Sequence, residues 1–224
     1  MNLLVKLSTY FILILLLGCQ TNINQAEEKI SVEFYFRFLE PEQQMRAEAT
    51  FYKGESPSPK NITVEKAYFQ EKVMEVRKLK THGTRYRSEI AGSYPQSLSF
   101  KFIDEKGKTH YHQSTMGPIL SFDINESKKN DEMKLSWEGA PLSQEESIVL
   151  LFSDKNELVV SHTHEGPTHK SSLVFPKEKL KELAKGNGKL YLVKKRLTKD
   201  SQKDPYVQML IEYYTDAITF KIKN

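Results

Sequence analysis

The chain of 224 residues holds one cysteine and one tryptophan, and its ten glycines and nine prolines are too few for a repetitive or low-complexity protein. A lone cysteine excludes any disulfide within the chain. Long apolar runs are scarce too. The only one, Leu7 to Leu17, has about a dozen residues, short of the about 20 that a membrane-crossing helix needs at about 1.5 Å per residue. Neither sign of charge dominates, with 33 Lys+Arg against 29 Asp+Glu, which argues against nucleic acid or another polyanion as partner. No Gly-x-Ser-x-Gly elbow, glycine-rich phosphate loop or dinucleotide fingerprint occurs, and the acidic residues are scattered. With no catalytic residue on offer, a non-enzymatic protein is expected.

What is present begins with an address. A short start carrying Lys6, the apolar run, then Gly18 and Cys19 make the pattern of a secretory signal peptide over residues 1–18. Within it, Leu16-Leu17-Gly18-Cys19 resembles the lipobox of bacterial lipoproteins. That resemblance implies cleavage before Cys19 and a diacylglycerol joined to its sulfur, with no other cofactor expected. A thiolate is the right nucleophile for a thioether. Each buried CH₂ of an acyl chain contributes about 0.8 kcal/mol, so two or three chains hold a protein on a membrane without a spanning segment. Gln20, where many inner-membrane lipoproteins carry Asp, points by the same resemblance to the outer membrane. Residues 19–29 are polar and aperiodic, and read as a tether.

From Ile30 the pattern changes to a strict period of two. Val32, Phe34, Phe36 and Phe38 alternate with Glu33, Tyr35 and Arg37, as in a half-buried strand. Similar stretches recur to Lys223, including Met45 to Phe51, Leu98 to Ile103, Lys108 to Gln113 and Ile148 to Phe152. The region Ile62 to Leu79 loses its phase near Gln70 to Lys72. Pro176, the apolar set Leu180, Leu183 and Ala184, and Gly186 predict one short helix near 177–185. The fold class expected is all-β: one or two antiparallel β-sandwich modules, divided at Gly117-Pro118 into 30–115 and 116–224. The second half, with Trp137 on an early strand, is similar to immunoglobulin-like or fibronectin type III-like modules. Trp137-Glu138-Gly139-x-Pro141-Leu142, Glu165-Gly166-Pro167-Thr168 and Leu190-Tyr191-Leu192-Val193 also resemble envelope lipoproteins of Bacteroidota-type bacteria, a likeness that brings no activity with it.

Two sets of residues are candidates for function. His110-x-His112 and His162-x-His164 each place two imidazoles on one side of a strand, as zinc and copper sites do. The phase of Lys108 puts the first pair in solvent, whereas Leu158 and Val160 carry His162 and His164 inward, making these the candidate metal ligands. Phe102-x-Asp104 before the first pair and Phe152-x-Asp154 before the second form an internal echo with unequal spacing. Tyr35, Tyr52, Tyr86, Tyr94 and Tyr111 stand beside charged or polar neighbours, as in a contact face for protein or glycan. Lys194-Lys195-Arg196 reads as a solvated basic edge. The expectation is thus a lipid-anchored envelope protein with a protein or glycan partner, and the alternative is a metal-binding or carbohydrate-active one using His162 and His164.

Overall fold

The computed structural model describes residues 29–54, 59–80, 83–126, 132–200 and 204–222. The expected signal peptide, Cys19 and all of the expected tether except Lys29 lie outside these residues. In the described chain no helix is long and apolar enough to cross a membrane.

The first half supplies nine strands: β1 (Ile30–Leu39), β2 (Gln44–Lys53), β3 (Lys60–Ile62), β4 (Lys66–Phe69), β5 (Lys72–Val73), β6 (Glu75–Leu79), β7 (Gly83–Ala91), β8 (Leu98–Ile103) and β9 (Thr109–Ser114). The alternation in β1 is used as written, since Val32, Phe34, Phe36 and Phe38 are buried and the odd positions point the other way. They meet a second layer, β5-β4-β8-β9, through aromatic contacts such as Phe34–Phe100 at 4.3 Å and Phe36–Phe69 at 5.5 Å. Each such side chain contributes about 1.5–3 kcal/mol by leaving water. The lost phase after Ile62 has a local cause. Gln70 and Glu71 both take positive φ, giving a two-residue hairpin between β4 and β5, after which the chain crosses at buried Met74 to the other layer as β6.

The second half supplies β10 (Ser121–Glu126), β11 (Glu132–Glu138), β12 (Glu146–Ser153), β13 (Val159–Glu165), β14 (Ser172–Pro176), β15 (Gly186–Asp200), β16 (Tyr206–Tyr214) and β17 (Ile218–Ile222). A three-stranded layer β10-β11-β14 packs on β12, β15 and β17 around Leu135, Trp137, Ile148, Phe152, Phe175 and Leu190. The apolar run Ile148 to Phe152 forms a central strand, buried at Ile148, Leu150 and Phe152 and only partly covered at Val149 and Leu151. The expected helix is a single 3-10 turn, Lys177–Leu180. Its apolar residues Leu180 and Leu183 are buried as expected, but the 3-10 turn ends at Leu180, and the Ala184 N–H goes instead to the Asp154 carboxylate.

One sheet runs through both halves, in the order β13-β12-β15-β16-β1-β2-β7-β6. The fifteen residues of β15 pair first with β12 and β17 and then with β16, which lies parallel to β1. Two departures from the expected antiparallel modules follow. The β1–β16 ladder is parallel, and Val207, Met209, Ile211 and Tyr213 of β16 belong to the core of the first half although the sequence division places them in the second. A strand that carries four apolar residues on one side adds to whichever open sheet edge offers a matching core, and sequence position does not decide which.

The crossing point is held by polar contacts, those of Lys194 buried and those of Arg196 nearer the surface. Lys194 is 1% exposed, sits 3.2 Å from Glu146 and donates to the Gly117 carbonyl at 3.0 Å. Glu146 also accepts from the Ser143 N–H at 2.9 Å, and Arg196 binds the Thr115 carbonyl and Glu145. Lys194 is therefore not part of a solvated edge.

Candidate functional site

Strands β16, β1, β2 and β7 give their apolar positions to the core and their intervening positions to the opposite side, which β6, exposed along its length, extends at the edge. On that side the sequence places Glu212 and Tyr214, then Glu33, Tyr35 and Arg37, then Arg46, Glu48 and Tyr52, then Arg85, Arg87 and Glu89, then Glu75 and Arg77. The chain contains six arginines, and five are here. Cross-strand register lines them up: Lys195 faces Glu212, Glu212 faces Arg37, Arg37 faces Arg46, and Arg46 faces Glu89.

Ion pairs and phenols tie the layer together. Glu48, buried among them, accepts from Arg85 at 2.9 Å and from Arg46 Nε at 2.7 Å. Arg77 meets Glu75 at 2.7 Å, and Arg87 pairs with Glu89. Glu212 receives Lys195 at 2.9 Å, the Tyr35 hydroxyl at 2.8 Å and the Tyr214 hydroxyl at 3.0 Å, while Tyr52 reaches Glu33 at 3.3 Å. Burial alone would raise the Glu212 pKa, but the hydrogen bonds from Lys195, Tyr35 and Tyr214 outweigh it and hold the carboxyl below its usual value. The same contacts push Tyr214 up to about 12, burial first and Glu212 second, so both phenols stay neutral donors. Arg37 stands apart. Its guanidinium lies 5.9 Å over the Tyr214 ring and its buried Nε has no hydrogen-bond partner.

Of the five tyrosines singled out from sequence, only Tyr35 and Tyr52 share this layer. Tyr86 is buried, with its hydroxyl donating to the Val64 carbonyl at 2.7 Å and accepting from the Val64 N–H at 2.9 Å. Tyr94 packs on Phe38 and Tyr213 and donates to the Met116 carbonyl at 2.8 Å. Tyr111 is 76% exposed on the other layer. The arginines were missed because each looks ordinary in its own strand. Their rarity elsewhere in a chain with 33 basic residues was the available signal.

The first histidine pair is the reverse of the expectation. His110 stacks on Phe102 at 4.6 Å and His112 on Phe34 at 5.6 Å, and Tyr111 takes the solvent side. His110 Nε2 lies 2.7 Å from Asp104, whose other oxygen accepts from the Lys106 and Lys108 N–H groups. Asp154 makes the same turn, accepting from the Asn156 and Leu158 N–H groups, but its second oxygen goes to the Ala184 N–H at 2.8 Å. The echo noticed in sequence is thus one hairpin design used twice, with Phe102 and Phe152 opposite His110 and Val160. The unequal spacing arises because the position of His110 is filled by Val160 in the second copy.

His162 and His164 do share the inward side of β13, half-buried with Val160. His162 lies 6.0 Å from the Phe175 ring, and burial, with Lys179 and His164 nearby, holds its pKa below the usual imidazole value. Among the described residues no group of three His, Cys, Asp or Glu side chains converges anywhere, so this pair has no third donor.

No family model matches the chain, and no curated protein matches it. Solved structures with partial likeness include a tetra-tandem repeat from the extending region of a large adhesion protein (10% identity, TM-score 0.30, covering 86% of this chain and 50% of that one). Others are fibronectin(III)-like modules of Clostridium thermocellum CbhA (8%, 0.25, 81% and 88%) and a putative carbohydrate binding protein from Bacteroides uniformis ATCC 8492 (12%, 0.29, 85% and 98%). This chain spans about half the length of the first of these. Scores this low carry no argument about ligand or role. The chain is an all-β protein of packed sheets.

Proposed function

We propose that this is an exported, lipid-anchored envelope protein whose body is a non-catalytic binding module, and that the arginine-tyrosine-glutamate side of β16-β1-β2-β7-β6 is its contact surface for an envelope glycan. The observation that carries the reading is the collection of five of the six arginines on one side of one sheet, interlocked with three tyrosines. Lys, Glu and Asp are depleted from the centres of protein–protein interfaces, and glutamates recur across this layer at Glu33, Glu48, Glu89 and Glu212. A hydrated, hydroxyl-rich ligand tolerates such a surface, because donors and acceptors alternate across it at strand spacing. The ion pairs hold the side chains in place before contact, which lowers the ordering cost of binding.

The anchor rests on Leu16-Leu17-Gly18-Cys19 after the apolar leader. Incorporation of a palmitate analogue should be lost in Cys19→Ala, and labelling that survives would refute the anchor. For the surface, full-length protein in detergent should retain envelope glycan. Tyr35→Ala with Tyr52→Ala should reduce retention at least fivefold, and Tyr111→Ala on the other layer should not. Equal loss in both variants would remove the assignment. A second reading, zinc or copper(II) at His162 and His164, draws on their shared side of β13. It predicts that either metal raises the melting temperature of the wild type and not of His162→Gln.

A further inference from the structure

The six cations of the contact surface are not equivalent. Arg46, Arg77, Arg85, Arg87 and Lys195 each pair with a glutamate, and Glu48 serves two of them. Arg37, in the middle of the row, has no glutamate ion pair among the described residues and lies over the Tyr214 ring. Its two register neighbours explain why. Glu212 is already engaged by Lys195, Tyr35 and Tyr214, and Arg46 is itself a cation. Like charges directly opposite on adjacent strands are destabilising, so Arg37 facing Arg46 costs the fold something that packing does not require.

We infer, resting on the proposed contact surface, that Arg37 and Arg46 form a carboxylate-reading point, and that the ligand is an acidic glycan whose uronic-acid carboxylates are separated by neutral sugars. A planar guanidinium can match a carboxylate with two parallel N–H donors, and every other arginine on this side already donates to a glutamate, Arg77, Arg85 and Arg87 through one nitrogen and Arg46 through two nitrogens on a single oxygen. Between Arg37 and Arg46 a carboxylate relieves the like-charge contact and gives Arg37 the acceptor it lacks. Glu33, Glu48, Glu75, Glu89 and Glu212 balance the other five cations on the same side, so a carboxylate beyond Arg37 finds no uncompensated cation and the spacing of charge along the ligand matters. Tyr35 and Tyr214 flank the point with neutral hydroxyls.

The test uses the full-length protein in detergent with hyaluronan, in which a uronic acid alternates with a neutral sugar, and with the same polymer after reduction of its carboxyl groups. Binding is followed by affinity electrophoresis and calorimetry. Hyaluronan should bind, the carboxyl-reduced polymer at least tenfold more weakly, and inorganic polyphosphate no better than the reduced polymer. Arg37→Gln should lower hyaluronan affinity at least tenfold with no fall in melting temperature, and Arg37→Lys, which keeps the charge, by an intermediate factor with the melting temperature unchanged. Arg77→Gln, at the rim and already paired, should change it less than twofold. Equal binding of the native and reduced polymers, or an Arg37→Gln variant that binds as wild type, overturns the carboxylate assignment while leaving a glycan-binding surface in place. Absence of hyaluronan binding overturns the inference too. If retention of envelope glycan also fails to depend on Tyr35 and Tyr52, the contact-surface reading falls with it.

Discussion

Replacing Lys194 by methionine tests how the two cores are joined. The side chain is 1% exposed, its ammonium lies 3.2 Å from Glu146 and it donates to the Gly117 carbonyl at 3.0 Å. Methionine keeps most of the volume but removes the charge and the donor. Glu146 is then left buried with, among the described residues, the Ser143 N–H to hold its carboxylate. Breaking a buried pair on one side costs about 3–5 kcal/mol, mostly the penalty of the stranded charge. For a chain of this size each kcal/mol shifts the melting temperature by about 2–4 °C, so Lys194→Met should melt roughly 6–20 °C lower. The double variant Lys194→Met/Glu146→Gln removes the stranded charge and should regain at least half of the loss, which a double-mutant cycle in urea measures as a coupling of about 1.5 kcal/mol or more. A single variant within about 1 kcal/mol of wild type, or a double variant as unstable as the summed singles, would show that the pair does not hold the junction.

Other outcomes follow from single contacts. Tyr86→Phe strips the buried Val64 N–H and carbonyl of their partner and should cost about 1–3 kcal/mol in urea titration, with a loss under about 0.5 kcal/mol counting against the assignment. In the paired turns, Gly107 and Glu157 both take positive φ, and a side chain there costs about 1–2 kcal/mol. Glu157→Gly should therefore raise the urea midpoint and Gly107→Ala lower it, and opposite signs would refute the equivalence of the turns. Because His162 has its pKa lowered in the fold, the unfolded chain takes up its proton first. Stability is then unaffected by this group above about pH 6.5 and falls as pH drops below that. His162→Gln should lessen the decline in urea midpoint between pH 7.5 and 5.5, and parallel slopes would contradict it. Asp104 and Glu212, whose pKa values are lowered, contribute stability that is lost only as pH falls below about 4.

The strands were legible where one side of the chain is apolar and the other is not, as in β1, β8 and β12. Burial follows the alternation directly. The sheet order was not legible, because the apolar alternation of β16 shows that it has a core side but not which strand it pairs with, and it joins β1. The phase of β9 misled for a related reason: Lys108 sits in the turn at Asp104 and says nothing about which side His110 takes, while Phe102 and Phe34 stack against the imidazoles. The candidate surface is a property of register across five strands, so no single segment displays it. Tyr35 and Arg37 in β1 and Arg46 and Glu48 in β2 acquire meaning only when β1 and β2 pair at Arg37 and Arg46. The same holds for Lys194, which looks like part of a basic run until the long strand β15 carries it past Glu146.

Arginine footprinting with phenylglyoxal, read by mass spectrometry on intact envelopes and again after extraction of the protein into detergent, tests the contact surface most directly. Arg37 and Arg46 should be protected in the envelope and become reactive on extraction, while Arg196, paired with Glu145 at the junction, should react alike in both. Equal modification of Arg37 and Arg46 in the two states would mean that nothing occupies this side of the sheet where the protein works.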